Sequence, residues 1–238
     1  MRFKLYRSLA VLVLFLSLGV PLFARPTPIL RGLDYATSFE ILPGGHFLIS
    51  EKKGLILEAT PEGKVSTWAD LTSSTYDVGD AGLLSLALDP HFAENGYVYA
   101  SQTADVNGKK SYRLIRLKQE NGQGVLDKIL WDGLPAVTKE VGGIVRYGPD
   151  GCLYWGVGAG GDGKAAQDPT SLRGALLRLY PDGTIPSDNP FPGSPEWAWG
   201  LRDPRGMTWN PDNGHLYGLD RGAKVVDGTL DELNLREP

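Results

Sequence analysis

One pattern recurs four times along the chain and constrains it more than any other feature. It is an alternating apolar strand, a tight turn carrying proline and ending in glycine, and a second strand rich in Leu, Tyr and Trp. The copies are FEILPGGHFLIS, LALDPHFAENGYVYAS, VRYGPDGCLYWGVG and MTWNPDNGHLYGLD, with prolines at Pro43, Pro90, Pro149 and Pro211. Their spacings of 47, 59 and 62 residues fit a propeller blade of ~40 to 50 residues plus its loops. Further strands follow most copies: GLILEA and KVSTWAD flank TPEGK, YRLIRLK and GVLDKILW flank QENGQ, and ALLRLY and TIP flank PDG. A helix competes for ALLRLY, because Asp168-Pro169-Thr170-Ser171 resembles a cap, but Gly174 inside and Pro181 beyond argue for a strand. Gly 31 and Pro 17 in 238 residues, against the usual ~12%, exclude a helical bundle. The pattern predicts an all-β fold, a β-propeller of four-stranded antiparallel blades, with a sandwich as the alternative.

Antiparallel order fixes which loops share a face. With strands A to D counted outward from the axis, the A–B and C–D turns lie on a lower face and the B–C and D–A connections on an upper one. The upper connections are the long ones: 70–82, 133–143, 158–174, 186–205 and 220–230. Long loops on a rigid scaffold are where function concentrates. His46, His91 and His215 fall in or beside A–B turns, which places them on the lower face, away from that region.

The formal charge is −4, and setting aside Arg2, Lys4 and Arg7 leaves −7 over the rest, a poor match to nucleic acid. Cys152 stands alone, so no intrachain disulfide forms. Three scattered histidines cannot build a His-rich metal cage. Residues 1–24 read as a secretory signal peptide: a basic start, an apolar run from Leu9 to Val20, and a small residue at Ala24. That run is shorter than the ~20 residues of a spanning helix. The expectation is an exported protein, periplasmic or extracellular and free of the membrane after leader removal, with 25–238 forming the propeller domain.

Gly156 to Gly161 reads GVGAGG and fits GxGxxG after a strand, but GDGKAAQDP runs polar into Pro169 where a dinucleotide site needs a helix. Longer segments carry more information. GLLSLALDPHFAENGYVYAS, QDPTSLRGALLRLYPDGTIPSDNPFPGSP, WGLRDPRGMTWNPDNGHLYGLD and DELNL resemble, in order from about Phe39 to Pro238, segments of the soluble pyrroloquinoline quinone (PQQ)-dependent aldose dehydrogenases, the glucose/sorbosone dehydrogenase family. The resemblance implies a six-bladed propeller of which about four blades are present here. It also implies PQQ at the centre of the upper face, Ca2+ bridging PQQ to the protein, and a small-molecule sugar as substrate.

Carried over residue by residue, the resemblance places Glu140 of KEVGGIVRYGPDG at the family's catalytic histidine. Ala159 of WGVGAGGDG stands at the aspartate that orients it, so both members of that pair are replaced. Arg202 of WGLRDPRG retains the quinone-contacting arginine, while Asp203 replaces an Asn and Arg205 a Gln. Gly222 and Ala223 of LDRGA match the carbonyls that hold the quinone Ca2+, with Arg221 where Gln or His is usual. Glu232 of LDELN matches a structural Ca2+ ligand, and Asp80 of VGDAGLL occupies a position that faces the sugar in some members.

DELNLREP falls within strand C of the fourth blade, giving roughly fifteen strands where six blades need about twenty-four. The expected consequences are impaired sugar oxidation, since a carboxylate is a weaker base than imidazole at neutral pH, and open apolar faces on blades one and four. These faces, read from the alternation in FEILP and MTWNP, imply self-association or a second chain completing the ring. Two other readings remain at this point. One is a non-catalytic secreted propeller or fragment that binds a sugar or a partner protein. The other is a calcium-dependent lactonase, disfavoured because no matching Glu, Asn and Asp set recurs in every blade. Export is checked by intact mass of the secreted protein: loss of Met1 to Ala24 is expected, and a mature mass that keeps them overturns the leader reading.

Overall fold

The computed structural model describes residues 27–222, 224–225, 228–229 and 231–236; the leader reading of 1–24 and the position of Ala223 lie outside the described residues. Blade one is β1 (Ala36–Ile41), β2 (Phe47–Glu51), β3 (Leu55–Ala59) and β4 (Val65–Asp70). Blade two is β5 (Leu83–Leu88), β6 (Tyr97–Val106), β7 (Lys109–Glu120) and β8 (Gln123–Pro135), with the one-turn helix α1 (Phe92–Asn95) in its A–B turn. Blade three is β9 (Gly142–Tyr147), β10 (Leu153–Val157), β11 (Ala175–Leu179) and β12 (Glu196–Trp199). In the fourth blade β13 (Pro204–Trp209) and β14 (Leu216–Asp220) pair in order with β17 (Glu232–Arg236), and the small hairpin of β15 (Lys224–Val225) and β16 (Gly228–Thr229) sits between β14 and β17 in sequence. Every pairing is antiparallel.

The first strands of successive blades lie side by side, β1 by β5, β5 by β9 and β9 by β13, which is the propeller arrangement. Short polar side chains stitch these neighbours. Thr37 Oγ1 donates to the Leu83 carbonyl at 2.9 Å, Leu86 N–H to Ser38 Oγ at 3.2 Å, and Val145 N–H to Ser85 Oγ at 3.2 Å. Farther out, period-two alternation sorts side chains between neighbouring blades. Along β10 and the residue before it, Leu153 and Trp155 join the core shared with Tyr99, Tyr112 and Leu114 of blade two, whereas Cys152 and Tyr154 pack with Leu216 and Trp209 of blade four. Trp155 is fully buried, and its Nε1–H donates to Ser101 Oγ at 3.0 Å, so its polar atom is met across that interface, whereas the equally buried Trp68 Nε1 has no partner among the described residues.

Two details differ from the sequence reading. TIP, 184–186, is not a strand; the fourth strand of blade three is EWAW, which pairs with β11 from Ala175↔Trp199 to Leu177↔Glu196. The segment between β11 and β12 is therefore a long C–D loop on the lower face. Its turns are built by Asp182, whose carboxylate accepts from Thr184 N–H and Oγ1–H, and by Asn189, whose amide donates to the Arg178 and Ser194 carbonyls. These side-chain contacts hold a loop where alternation alone reads as a strand. Secondly, Met207 and Trp209 of MTWNP pack toward blade three. The open face of blade four instead carries Leu219, Leu233 and Leu235, which share one side of β14 and β17 by register.

Blade one is open as expected, with Phe39 61% and Ile41 55% exposed, and on blade four Leu233 is 71% exposed. Each such side chain gains ~1.5–3 kcal/mol when fully covered. The 238-residue chain is therefore expected to bind a hydrophobic dye and self-associate by light scattering, with both effects reduced in Phe39→Ser/Leu233→Ser. A monodisperse, dye-negative monomer overturns this.

Candidate functional site at the mouth of the propeller

A cavity of about 490 Å3 lies between the inner strands, touching Thr37, Leu84, Gly142 and Arg205. At its upper mouth the B–C and D–A loops converge, and eight of the residues singled out from the sequence, Asp80, Glu140, Ala159, Arg202, Asp203, Arg205, Arg221 and Gly222, meet there in one bonded network. Two buried carboxylates anchor it. Asp203 accepts Gly142 N–H at 2.8 Å, tying blade four to blade three, and Asp220 accepts the N–H groups of Asp203 at 2.6 Å and Arg202 at 2.8 Å. Burial pushes the Asp220 carboxyl above the usual carboxylate range; the two donors oppose this, and nearby Asp203 and Glu232 add to it.

Around these anchors sits an alternating ring of charge. Arg205 Nε lies 2.9 Å from Asp203 Oδ1, and Arg221 Nη2 lies 2.6 Å from Asp203 Oδ2 and 3.2 Å from Asp80 Oδ2. Burial alone would lower the Arg221 guanidinium, but Asp203 and Asp80 outweigh it and hold it above its usual value. Asp80 also accepts Glu140 N–H at 3.2 Å, so blades two, three and four are linked through it. Glu140 itself faces Arg202, with Nη2 donating to Oε1 at 2.6 Å and both side chains largely covered. Arg202 Nη1 also donates to the Gly222 carbonyl, and Gly222 N–H to Asp231 Oδ1 at 3.1 Å.

The backbone around Glu140 is tightly built. Glu140 adopts φ of 49°, a left-handed conformation unusual for a side-chain-bearing residue. Its carbonyl accepts Gly160 N–H at 3.1 Å, and a side chain at Gly158 would collide with it. The glycines of GVGAGG thus serve a close approach of two loops. Ala159 N–H donates to the Arg202 carbonyl at 2.8 Å, so this residue joins the network through its backbone alone.

A cavity of about 430 Å3 joins Glu140, Ala159, Arg202, Asp220, Gly222 and Glu232, and a second of about 290 Å3 joins Lys52, Asp80, Arg205 and Arg221. Asp220 and Lys52 escaped the sequence reading. Asp220 had one available signal: it is the last residue of an apolar strand that opens onto the upper face. Among the described residues no group of three or more His, Cys, Asp or Glu side chains is arranged to hold a metal ion.

Fold and site together define a β-propeller whose upper mouth is lined by paired guanidinium and carboxylate groups. The profile of the Glucose / Sorbosone dehydrogenase family matches residues 33–238, and the chain belongs to that family. It is 26% identical over 247 residues to the aldose sugar dehydrogenase YliI of Escherichia coli, covering 97% of this chain and 66% of the relative. It is 30% identical over 221 residues to quinoprotein glucose dehydrogenase B of Acinetobacter calcoaceticus, covering 79% and 45%. The PQQ-bound aldose sugar dehydrogenase of Streptomyces coelicolor superposes with a TM-score of 0.80 at 30% identity, over 88% of this chain and 62% of that one. The chain thus spans about half to two thirds of the length of these proteins.

The Glu140–Arg202 pair is expected to couple by ~1–3 kcal/mol, because removing one partner leaves a largely covered charge unpaired. A double-mutant cycle with Glu140→Gln and Arg202→Met, read by urea unfolding, checks this. A coupling below ~0.5 kcal/mol, the range of an exposed pair, overturns it.

Proposed function

We propose that the mouth is a PQQ-type quinone site for oxidation of an aldose at C1, weakened at its proton-accepting step. The observation that carries this is the Glu140–Arg202 ion pair at the place where the family resemblance puts the base. The donor set suits PQQ, a planar polyanion: Arg202, Arg205, Arg221 and Lys52 open onto the two mouth cavities, and guanidinium forks match carboxylates. The set suits calcium less well. The Gly222 carbonyl, implied as a Ca2+ ligand, already accepts from the cationic Arg202, whose charge opposes a divalent cation beside it.

Held by these guanidiniums, PQQ would supply a hydride acceptor for the sugar's C1. The C1 hydroxyl proton then has to reach a base, and Glu140 Oε1 and Oε2 are the acceptors this chain offers. Arg202 already occupies Oε1 at 2.6 Å, so a sugar hydroxyl has to compete with that donor for the carboxylate. Asp80, held by Arg221 and by Glu140 N–H, stands at the rim where a sugar hydroxyl can donate to it. Arg202 serves two ends, holding Glu140 with one nitrogen and the Gly222 carbonyl with the other.

The test is a PQQ titration followed by dye reduction with glucose. Expected are saturable PQQ binding, low turnover by the unmodified chain, and at least about tenfold higher turnover in Glu140→His/Ala159→Asp, within the usual span of general-base catalysis. Failure to bind PQQ overturns the cofactor reading and leaves a non-catalytic propeller. Robust turnover without the substitutions overturns the impairment.

A further inference from the structure

The lower face carries a second concave site, remote from the mouth and built by different loops. It is a groove of about 500 Å3 between blades three and four, reached by the A–B turns at Asp150 and Asn213 and by the C–D loop at Asp188. This size lies within the ~300–1,000 Å3 of small-molecule sites. Its floor is aromatic. Tyr154 meets Trp209 edge-on at 5.0 Å and Trp197 edge-on at 5.9 Å between ring centroids, and both indoles are half-buried.

The polar wall is equally ordered. Arg178, 5% exposed, extends Nε to Asp150 at 2.9 Å and grips Asp188 with both terminal nitrogens, at 2.8 and 3.1 Å, while its guanidinium lies 4.8 Å above the Trp197 ring. Asn189 Oδ1 accepts from the same guanidinium at 3.0 Å. Arg178 is therefore electrically satisfied, yet the Asp188 side chain is 66% exposed. A carboxylate oxygen has two acceptor sites and each here uses one on Arg178, so the outer ones are available to hydroxyl donors. A second guanidinium, that of Arg236, lies 5.3 Å from the Trp197 ring and lines the groove from β17.

The charges of Arg178 and Arg236 are matched in number by those of Asp150 and Asp188, so the groove selects for neither an anion nor a cation. What it offers is an apolar indole surface beside fixed carboxylate acceptors and guanidinium donors. A molecule with a C–H face on one side and a rim of hydroxyls on the other complements that surface. We propose that this groove binds a neutral saccharide of one or two pyranose rings, independently of the mouth and of the quinone reading.

The experiment uses the full chain and two neutral probes, cellobiose and maltose. Saturation-transfer NMR detects contact of sugar C–H groups with the indoles, and titration by tryptophan fluorescence gives the affinity. Expected are saturable binding of at least one probe, transfer from Trp209 ring protons, and weakening of about tenfold or more in Asp188→Ala, the scale of one lost charge-assisted hydrogen bond. Circular dichroism establishes that this variant folds. Trp209→Phe keeps an apolar ring but shrinks the stacking surface, and is expected to weaken binding while preserving the core. Absence of binding by either disaccharide up to tens of millimolar overturns the proposal. So does binding that is unchanged in both variants, binding abolished by Glu140→Gln at the mouth, or preferential capture of a proline-rich peptide over the sugars.

Discussion

A propeller blade is a sheet with two apolar faces, and what stabilises it is the neighbour that covers each one. No blade here has an interior of its own: Trp155 and Leu153 are buried because Tyr99, Tyr112 and Leu114 stand opposite, and Tyr154 because Trp209 and Leu216 do. The same dependence sets the inner edge. First strands from successive blades come close enough for Ser85, Ser38 and Thr37 to bond the neighbouring backbone. A bulky apolar side chain there would force the ring apart. Where no neighbour stands, on the outer sides of β1 and β17, the same alternation leaves Phe39, Ile41, Leu233 and Leu235 facing water.

The mouth follows from this geometry. Loops leaving the tops of three blades are brought within hydrogen-bonding reach of each other, and two carboxylates take up the backbone donors that convergence would strand. Asp203 and Asp220 each sit at a strand end and each accepts N–H groups that no ladder serves. Burying acids is costly unless their acceptors are filled. Arg205 and Arg221 set positive charge 2.9 and 2.6 Å from the two Asp203 oxygens, though Oδ2 accepts no hydrogen bond among the described residues, so part of the cationic character of the mouth is structural in origin.

Much of this was legible in the sequence because it rests on local rules. Period-two alternation and proline-glycine turns located four blades and put the histidines on the lower turns; His46, for example, bonds Glu58 there at 2.6 Å. The errors have a common cause. TIP alternates like a strand, yet Asp182 and Asn189 hold that region as a loop, and MTWNP is apolar without its pattern revealing which neighbour it faces. Side-chain bonds within loops, and the choice between two covered faces, are set by tertiary partners. Asp220 was missed for the same reason: its partners, Arg202 and Asp203 N–H, lie 18 and 17 residues away in the connection that leads into β13.

The replacements that the family resemblance implies at the mouth are coherent with one another. A carboxylate at 140 needs no neighbour to fix a tautomer, and a second acid at 159 would stand close to it and raise the cost of its charge; alanine there removes that repulsion. Arg202 supplies the opposite charge, and Arg221 and Arg205 balance Asp80 and Asp203 on the adjoining side. The guanidinium and carboxylate groups paired here leave the mouth nearly neutral within itself. A site arranged in this manner is stable without an anionic ligand. On the proposed reading, a quinone's carboxylates would have to compete with Asp80, Asp203 and Glu140 for the same guanidiniums, and the strength of that competition would set how much binding energy remains to hold it.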